Sequence, residues 1–205
     1  QQKNIKKCKI GYTVSPNHLY TLDSIAYNGF PKQADSLIRK TMNDALIHKG
    51  DAFDVYSLNA ERNRIGTLFR NNGYYYYQPG YSTYLADTLS VPGKVNLRFH
   101  MADDVPVRAK QKWYIGKLDV EIKKLFTDQL TDSIKHRRLT VHFTGRRPPI
   151  RVRVILKDMK IRPGKLFSYE DYLESANNVG ASDCFSMTDF KFTPRDTTSS
   201  CDTLD

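Results

Sequence analysis

The chain has 205 residues, enough for one large domain or for two of roughly 100 residues each, and either size can bury a core. Lys and Arg outnumber Asp and Glu by 32 to 22, so the surface carries a positive field that attracts phosphate, anionic lipid headgroups or an acidic protein face. No apolar run approaches the ~18 residues of a membrane-spanning helix and no signal-peptide pattern stands at Gln1, so a soluble protein, or a soluble piece of a longer one, is expected.

Cys8, Ile10, Tyr12 and Val14 alternate in the manner of a half-buried strand, which Ser15-Pro16-Asn17 interrupts. A second strand is predicted over Tyr20 to Tyr27. Gly29 and Pro31 then announce a helix with apolar positions Ala34, Leu37, Ile38, Ala45 and Leu46, ended by Gly50. The next helix takes Ser57 as its N-cap, runs Leu58, Ile65, Leu68 and Phe69 along one face, and stops at Gly73, where a left-handed residue is wanted. A hairpin follows. Its first strand runs from Tyr74 to Leu85 with an interruption at Pro79-Gly80, and its second, Lys94 to Met101, alternates Val95, Leu97, Phe99 and Met101 after a Val91-Pro92-Gly93 turn.

Trp113 to Ile122 opens a second unit, since Trp113-x-Ile115-x-x-Leu118 echoes Tyr20-x-Leu22-x-x-Ile25 at an offset of 93 residues. An aromatic-Ser helix start, a helix and an aromatic strand also recur. At an offset of 111 residues Ser57 pairs with Ser168, Leu68 with Val179, and Tyr74 with Phe185, which leads into a strand from Phe185 to Thr193. A repeat at domain spacing implies a tandem array. The two offsets leave 18 extra residues in the second unit, so its first-helix region, around residues 123 to 160, is enlarged. The strand at Cys8 resembles the closing strand Val95 to Met101, and a final strand starts at Cys201. The expected organisation is therefore the closing strand of an upstream module at 1–16, a module at 17–104, and a second module at 105–205 cut at its last strand. The odd count of three cysteines argues against a closed disulfide framework, and the predicted strands hold Cys184 and Cys201 too far apart to bond.

Nothing in the chain suggests catalysis. His18, His48, His100, His136 and His142 show no metal-binding spacing, and no nucleophile elbow, P-loop or dinucleotide fingerprint is present. Asp51, Asp54, Asp103 and Asp104 stand beside predicted turns, where carboxylates cap or solvate. No enzyme activity, metal or other cofactor is expected.

The β-α-α-β-β order, with a helix ending in Asn72-Gly73-Tyr74 and closing strands rich in alternating aromatics, resembles the POTRA module of BamA/TamA-type outer-membrane protein assembly factors. The stretches Leu68 to Tyr84, Val91 to Met101 and Trp113-Tyr114-Ile115-Gly116 are most similar to the factors of Bacteroides-type bacteria. Arg162-Pro163-Gly164, Phe167-Ser168 and Phe192-Thr193-Pro194-Arg195-Asp196 extend the likeness through the second unit. Ala181 and Cys184 depart from it, standing near the place of the family's Gly-aromatic step. The resemblance implies an α+β fold of tandem modules, each a three-stranded mixed sheet with helices on one face. It further implies a periplasmic location, a membrane β-barrel attached on the C-terminal side, and unfolded outer-membrane proteins as clients, with accessory assembly subunits as candidate partners.

In that family the second strand of each module is an open edge, to which an extended client can add through main-chain hydrogen bonds. The corresponding candidates here are Tyr75, Tyr76, Tyr77, Tyr81 and Tyr84 in the first module and Phe185, Met187, Phe190 and Phe192 in the second. The competing assignment puts Tyr74 and Tyr76 in the core and leaves Tyr75 and Tyr77 on the solvated face. A second candidate surface is basic. Lys135, Arg137, Arg138, Arg146, Arg147, Arg151 and Arg153 occur without an intervening acid, and Val152, Val154 and Leu156 alternate with their neighbours as in a strand. This face is either simply solvated or a contact for anionic lipid headgroups or an acidic partner. Alternatives to the assembly-factor reading are a basic nucleic-acid-binding protein and the POTRA arm of a dedicated secretion transporter. Arginines without interleaved aromatics disfavour nucleic acid as a partner.

Overall fold

The computed structural model describes residues 10–15, 18–182, 184–198 and 200–205. The first module contains β1 (Thr21–Asn28), α1 (Lys32–Lys40), α2 (Val55–Asn71), β2 (Ser82–Asp87) and β3 (Lys94–Met101). Its sheet has the order β1-β3-β2, with β3 parallel to β1 and antiparallel to β2. Alternation places Val95, Leu97, Phe99 and Met101 of β3 on the buried face, where they join Ala34 and Ile38 of α1 and Leu58, Ile65 and Phe69 of α2 in one core. Each of these side chains larger than Ala34 contributes about 1.5–3 kcal/mol on burial.

Local chemistry sets the helix limits. The Asp54 carboxylate accepts from the Ser57 N–H at 2.9 Å, so Asp54 caps α2 and the predicted cap, Ser57, lies inside the helix. Asp serves as well as Ser there and adds a negative charge at the positive end of the helix dipole. Helix α1 stops at Lys40, short of the predicted Leu46. The Thr41 hydroxyl and N–H both donate to the carbonyls of Leu37 and Ile38, and a 3₁₀ turn over Met42–Asp44 then swings Ala45 and Ile47 into the core. The predicted strand at Cys8 to Val14 is not formed in its described part. Ile10, Tyr12 and Val14 are exposed and, among the described residues, have no strand beside them; Cys8, Lys9, Pro16 and Asn17 lie outside the described residues. The strand predicted over Tyr74 to Leu85 is also shorter than expected, because β3 ends at Met101 opposite Ser82 and, among the described residues, Tyr74–Tyr81 have no strand to pair with.

A short helix, α3 (Val107–Lys110), leads into β4 (Tyr114–Ile115) and β5 (Leu118–Glu121), which together occupy the predicted strand Trp113 to Ile122. The hairpin β6 (Asp132–His136) and β7 (Leu139–Phe143) follows, turning at Arg137 with φ 55°, then α4 (Val152–Asp158), α5 (Tyr169–Gly180) and β8 (Thr203–Leu204). Strand β4 pairs in parallel with β8, as β1 does with β3, while β5, β7 and β6 form a further mixed sheet.

Main-chain hydrogen bonds establish how the modules correspond. Leu22 N–H donates to Asp51 C=O and Gly50 N–H to Leu22 C=O; Ile115 N–H donates to Lys165 C=O and Gly164 N–H to Ile115 C=O. The Leu46 N–H bonds the Glu61 carboxylate at 2.9 Å, and the Lys160 N–H bonds the Ser175 hydroxyl at 2.7 Å. The offset of 93 therefore holds for the opening strand, but it is 114, not 111, across the second helix. The N-caps Asp54 and Ser168 correspond, as do buried Ile65 and Val179. The difference between 93 and 114 makes the extra segment 21 residues, and the β6–β7 hairpin lies within this enlarged region.

Two predicted strands of the second module are absent. Val152–Asp158 is a helix that buries Ile155 and, one turn on, Met159; three alternating apolar residues did not separate the two periods. Phe185–Thr193 is irregular; at its end Thr193, with Pro194 and Arg195 just beyond, pairs with the β8 region through Asp205, Leu204 and Thr203. Cys184 is an exposed and Cys201 a buried free thiol.

Candidate functional site

Strand β2 has β3 on one side and no main-chain partner on the other among the described residues. The opposite sheet edge is partly closed, because Leu22 exchanges hydrogen bonds with Gly50 and Asp51. Ala102 N–H donates to Tyr81 C=O, and Thr83 is registered against His100. The alternation of antiparallel pairing then turns the N–H and C=O of Tyr84 and Ala86 outward, a row of unmet donors and acceptors. The Tyr84 ring lies inward, 5.9 Å from Phe99, and Leu85 is 60% exposed on the other face.

The tyrosine run does not belong to this edge. Gly73, with φ +98°, turns the chain out of α2, and the four tyrosines that follow divide between two cores. Tyr74 and Tyr77 enter the first module around Phe69, with ring centroids 5.4 and 4.8 Å from it. Tyr77 is 1% exposed and its hydroxyl bonds that of Ser82; burial pushes its pKa up to about 12, the Ser82 hydrogen bond opposing. Tyr77 is thus removed from the candidate client contacts, and the expected split of Tyr74 with Tyr76 gives way to Tyr74 with Tyr77, the spacing of a turn rather than of a strand.

Tyr75 and Tyr76 point into the second module. Tyr75 meets Phe167 at 4.9 Å and Phe192 at 5.5 Å, and Tyr76 meets Trp113 at 5.1 Å. Polar contacts reinforce this joint. Trp113 N–H donates to Gly73 C=O at 2.8 Å, Glu170 N–H to Asn71 Oδ1 at 3.0 Å, and the Arg70 guanidinium stacks 3.5 Å from the Tyr169 ring centroid. A Cβ on Gly73 would lie 2.6 Å from Leu166 Cδ1, so the glycine also permits the close approach of the modules. Trp113 and Phe167 entered the sequence reading only as landmarks of the repeat and the resemblance, and none of Trp113, Leu166, Phe167 and Tyr169 was assigned to a joint. The available signal was four consecutive tyrosines after a helix-ending glycine, more aromatic surface than one module can cover.

Of the remaining candidates, Tyr81 is half-buried against Tyr77; Phe190 and Phe192 are half-buried against Tyr172, and Phe185 packs on the second module's core. Met187 alone of the second set is largely exposed. They share no strand. The seven basic residues are all exposed and, among the described residues, none forms a salt bridge, but they lie on no single strand face. Lys135, Arg137 and Arg138 are at the turn end of the β6–β7 hairpin, Arg146 and Arg147 in the loop at its other end, and Arg151 and Arg153 at the start of α4.

Glu61 was also missed. It is fully buried on the apolar face of α2 between Leu58 and Ile65, and accepts from Tyr27 Oη (2.8 Å), Leu46 N–H (2.9 Å), and Arg64 Nε (2.8 Å) and Nη2 (2.7 Å). Burial opposes its ionisation, but the hydrogen bonds from Arg64, Leu46 and Tyr27 together hold its pKa below the usual carboxylate value. The same burial, with the adjacent carboxylate, raises that of Tyr27. The satisfied network fixes α2 to β1 and to the segment after α1, a structural rather than a reactive arrangement.

Module one is a β-α-α-β-β unit with a mixed three-stranded sheet and both helices on one face. This is an α+β protein with the POTRA fold, in tandem. BamA from Haemophilus ducreyi lacking POTRA domains 1–3 is similar over 91% of this chain and 28% of its own, with a TM-score of 0.59 and 11% sequence identity. POTRA3–5 of Haemophilus influenzae BamA is similar over 91% of this chain and 59% of its own, with a TM-score of 0.49 and 11% identity. The chain thus spans less than two thirds of either protein, and at such identity the likeness concerns the fold alone. No family model and no curated protein matches the sequence.

Proposed function

We propose that this chain belongs to the periplasmic arm of an outer-membrane protein assembly or translocation factor, with modules at 17–104 and 105–205, and that it holds extended client segments by strand addition on β2. The open edge of β2 carries the proposal. Outward N–H and C=O groups at Tyr84 and Ala86 offer a client backbone the hydrogen bonds of another strand, and that recognition tolerates many sequences because every client presents the same backbone. Exposed Leu85 offers an apolar contact to one side chain of the added strand. The aromatic candidates at Tyr75 and Tyr76 act instead at the joint, so binding rests on main chain more than on aromatic side chains. Accessory subunits dock elsewhere on the arm, and a membrane barrel follows in the full protein.

Extended peptides from an outer-membrane β-strand, added to the purified chain, are expected to slow hydrogen exchange of the Tyr84 and Ala86 amides. Ala86→Pro removes one outward donor without breaking the β2–β3 ladder, and should weaken peptide binding while leaving the thermal transition within a few degrees. Unchanged exchange at both amides on saturation with peptide would refute the β2 assignment.

A further inference from the structure

The extra segment of the second module carries a second surface with different chemistry. Between β5 and β6 the chain folds into a closed turn, in which the Asp128 carboxylate accepts from the N–H groups of Lys124 (3.1 Å) and Leu125 (3.0 Å) while Asp128 N–H donates to Leu125 C=O at 3.0 Å. This turn holds two large apolar side chains in water. Leu125 is 67% exposed and Phe126 88%. Its flank is basic, because Thr144 Oγ1 donates to Gln129 C=O at 2.7 Å and Gly145 N–H to Thr131 Oγ1 at 3.2 Å, which ties the Arg146-Arg147 loop to the same end of the hairpin. Lys123 is neutralised by Glu121 at 2.7 Å, but among the described residues Lys124, Arg146 and Arg147 form no ion pair.

We infer that this end of the hairpin is a membrane-contact device, with Leu125 and Phe126 entering the headgroup–acyl boundary of an anionic bilayer while Lys124, Arg146 and Arg147 meet lipid phosphates. An isolated aromatic on a polar turn gains nothing in water, whereas the bilayer boundary accepts both its apolar ring and the cations around it. A protein partner fits the tip less well. A stable protein interface buries about 800 Å² per partner, and a convex turn of a few residues offers no such face. The surface lies in the second module and is independent of strand addition on β2, so each can fail without the other.

The test is sedimentation of the whole chain with vesicles of phosphatidylcholine alone and of phosphatidylcholine mixed with phosphatidylglycerol, alongside the peptide assay for β2. Retention is expected only on the anionic vesicles. Arg146→Ala with Arg147→Ala should reduce it about 25-fold, or about five-fold per cation. Leu125→Ser with Phe126→Ser leaves the net charge unchanged and should reduce it at least about ten-fold. Both pairs of changes are on exposed loops, and an unaltered thermal transition establishes that the variants fold. A Phe126→Trp variant should gain a blue-shifted emission component on anionic vesicles, above the constant signal of buried Trp113. Equal retention on neutral and anionic vesicles, no retention on either, or full retention by the Leu125→Ser/Phe126→Ser protein would each overturn the inference; the last would assign any attraction to charge alone, as for an acidic protein face.

Discussion

Gly73→Ala should weaken the chain at the contact between its modules, and the magnitude follows from two separable causes. At φ +98° an alanine sits in a backbone region that L-residues avoid, at a cost of about 1–2 kcal/mol. Its Cβ would also stand 2.6 Å from Leu166 Cδ1 and 2.9 Å from Cγ, an overlap that must displace a half-buried side chain and costs about 1–3 kcal/mol. The total is about 2–5 kcal/mol. Truncating Leu166 removes the second cause and leaves the first. Urea denaturation of the parent, Gly73→Ala, Leu166→Ala and the double variant therefore forms a cycle, in which the double variant should be more stable than the sum of the single effects by about 1–3 kcal/mol. A sum that is additive to within about 0.5 kcal/mol would refute the packing of Leu166 on Gly73, and with it the close joint.

Glu61→Ala should cost about 3–5 kcal/mol, because it strands Arg64, the Leu46 N–H and the Tyr27 hydroxyl together. Its folded pKa is depressed, so its stabilisation is fully present above its unfolded value of about 4.3 and is lost as pH falls through the folded value; urea titrations across that acid range should show a shallower loss in Glu61→Gln. Ser175→Ala leaves the Lys160 and Ile161 N–H groups without their acceptor and should cost about 1–3 kcal/mol, with faster exchange at those two amides. Trp113 is the only tryptophan and is fully buried at the joint, so its emission should shift to the red in Tyr76→Ala while far-ultraviolet dichroism is retained.

Strand β3 and the order of the first module were legible because alternation and turn residues were dense there: Val95, Leu97, Phe99 and Met101 admit no other period, and Gly93 closes the preceding turn. The tyrosine run misled for the opposite reason. Aromatic residues have high strand propensity, and nothing local reveals that Tyr74–Tyr81 have no neighbouring strand, since pairing is decided by where β3 ends. The repeat offset failed through a similar ambiguity. Ser57 and Ser168 share an aromatic-Ser signature, yet the helix takes Asp54 as its cap, and the true equivalence of Glu61 with Ser175 joins two residues whose only common property is an oxygen that accepts from buried main chain. The seven basic residues are exposed but divide between a hairpin turn, a loop and a helix start instead of one strand face; the hairpin's β7 pairs with Leu118–Glu121, a contact that no short pattern encodes.

The aromatic joint also bears on the strand addition proposed for β2. Trp113 and Phe167, which receive Tyr76 and Tyr75, are themselves core residues of the second module, clustered with Ile115, Ile161, Cys201 and Leu204. Opening the joint would therefore expose part of that core to water, a cost that a flexible linker does not carry. Residues that looked suited to gripping a client are instead committed to holding one module against the next. For the strand addition proposed above, the module offers what its fold leaves unpaired, the main-chain groups along β2. A rigid support is the condition under which this is sufficient, because an edge already ordered and held in place loses little conformational freedom when an extended segment pairs with it.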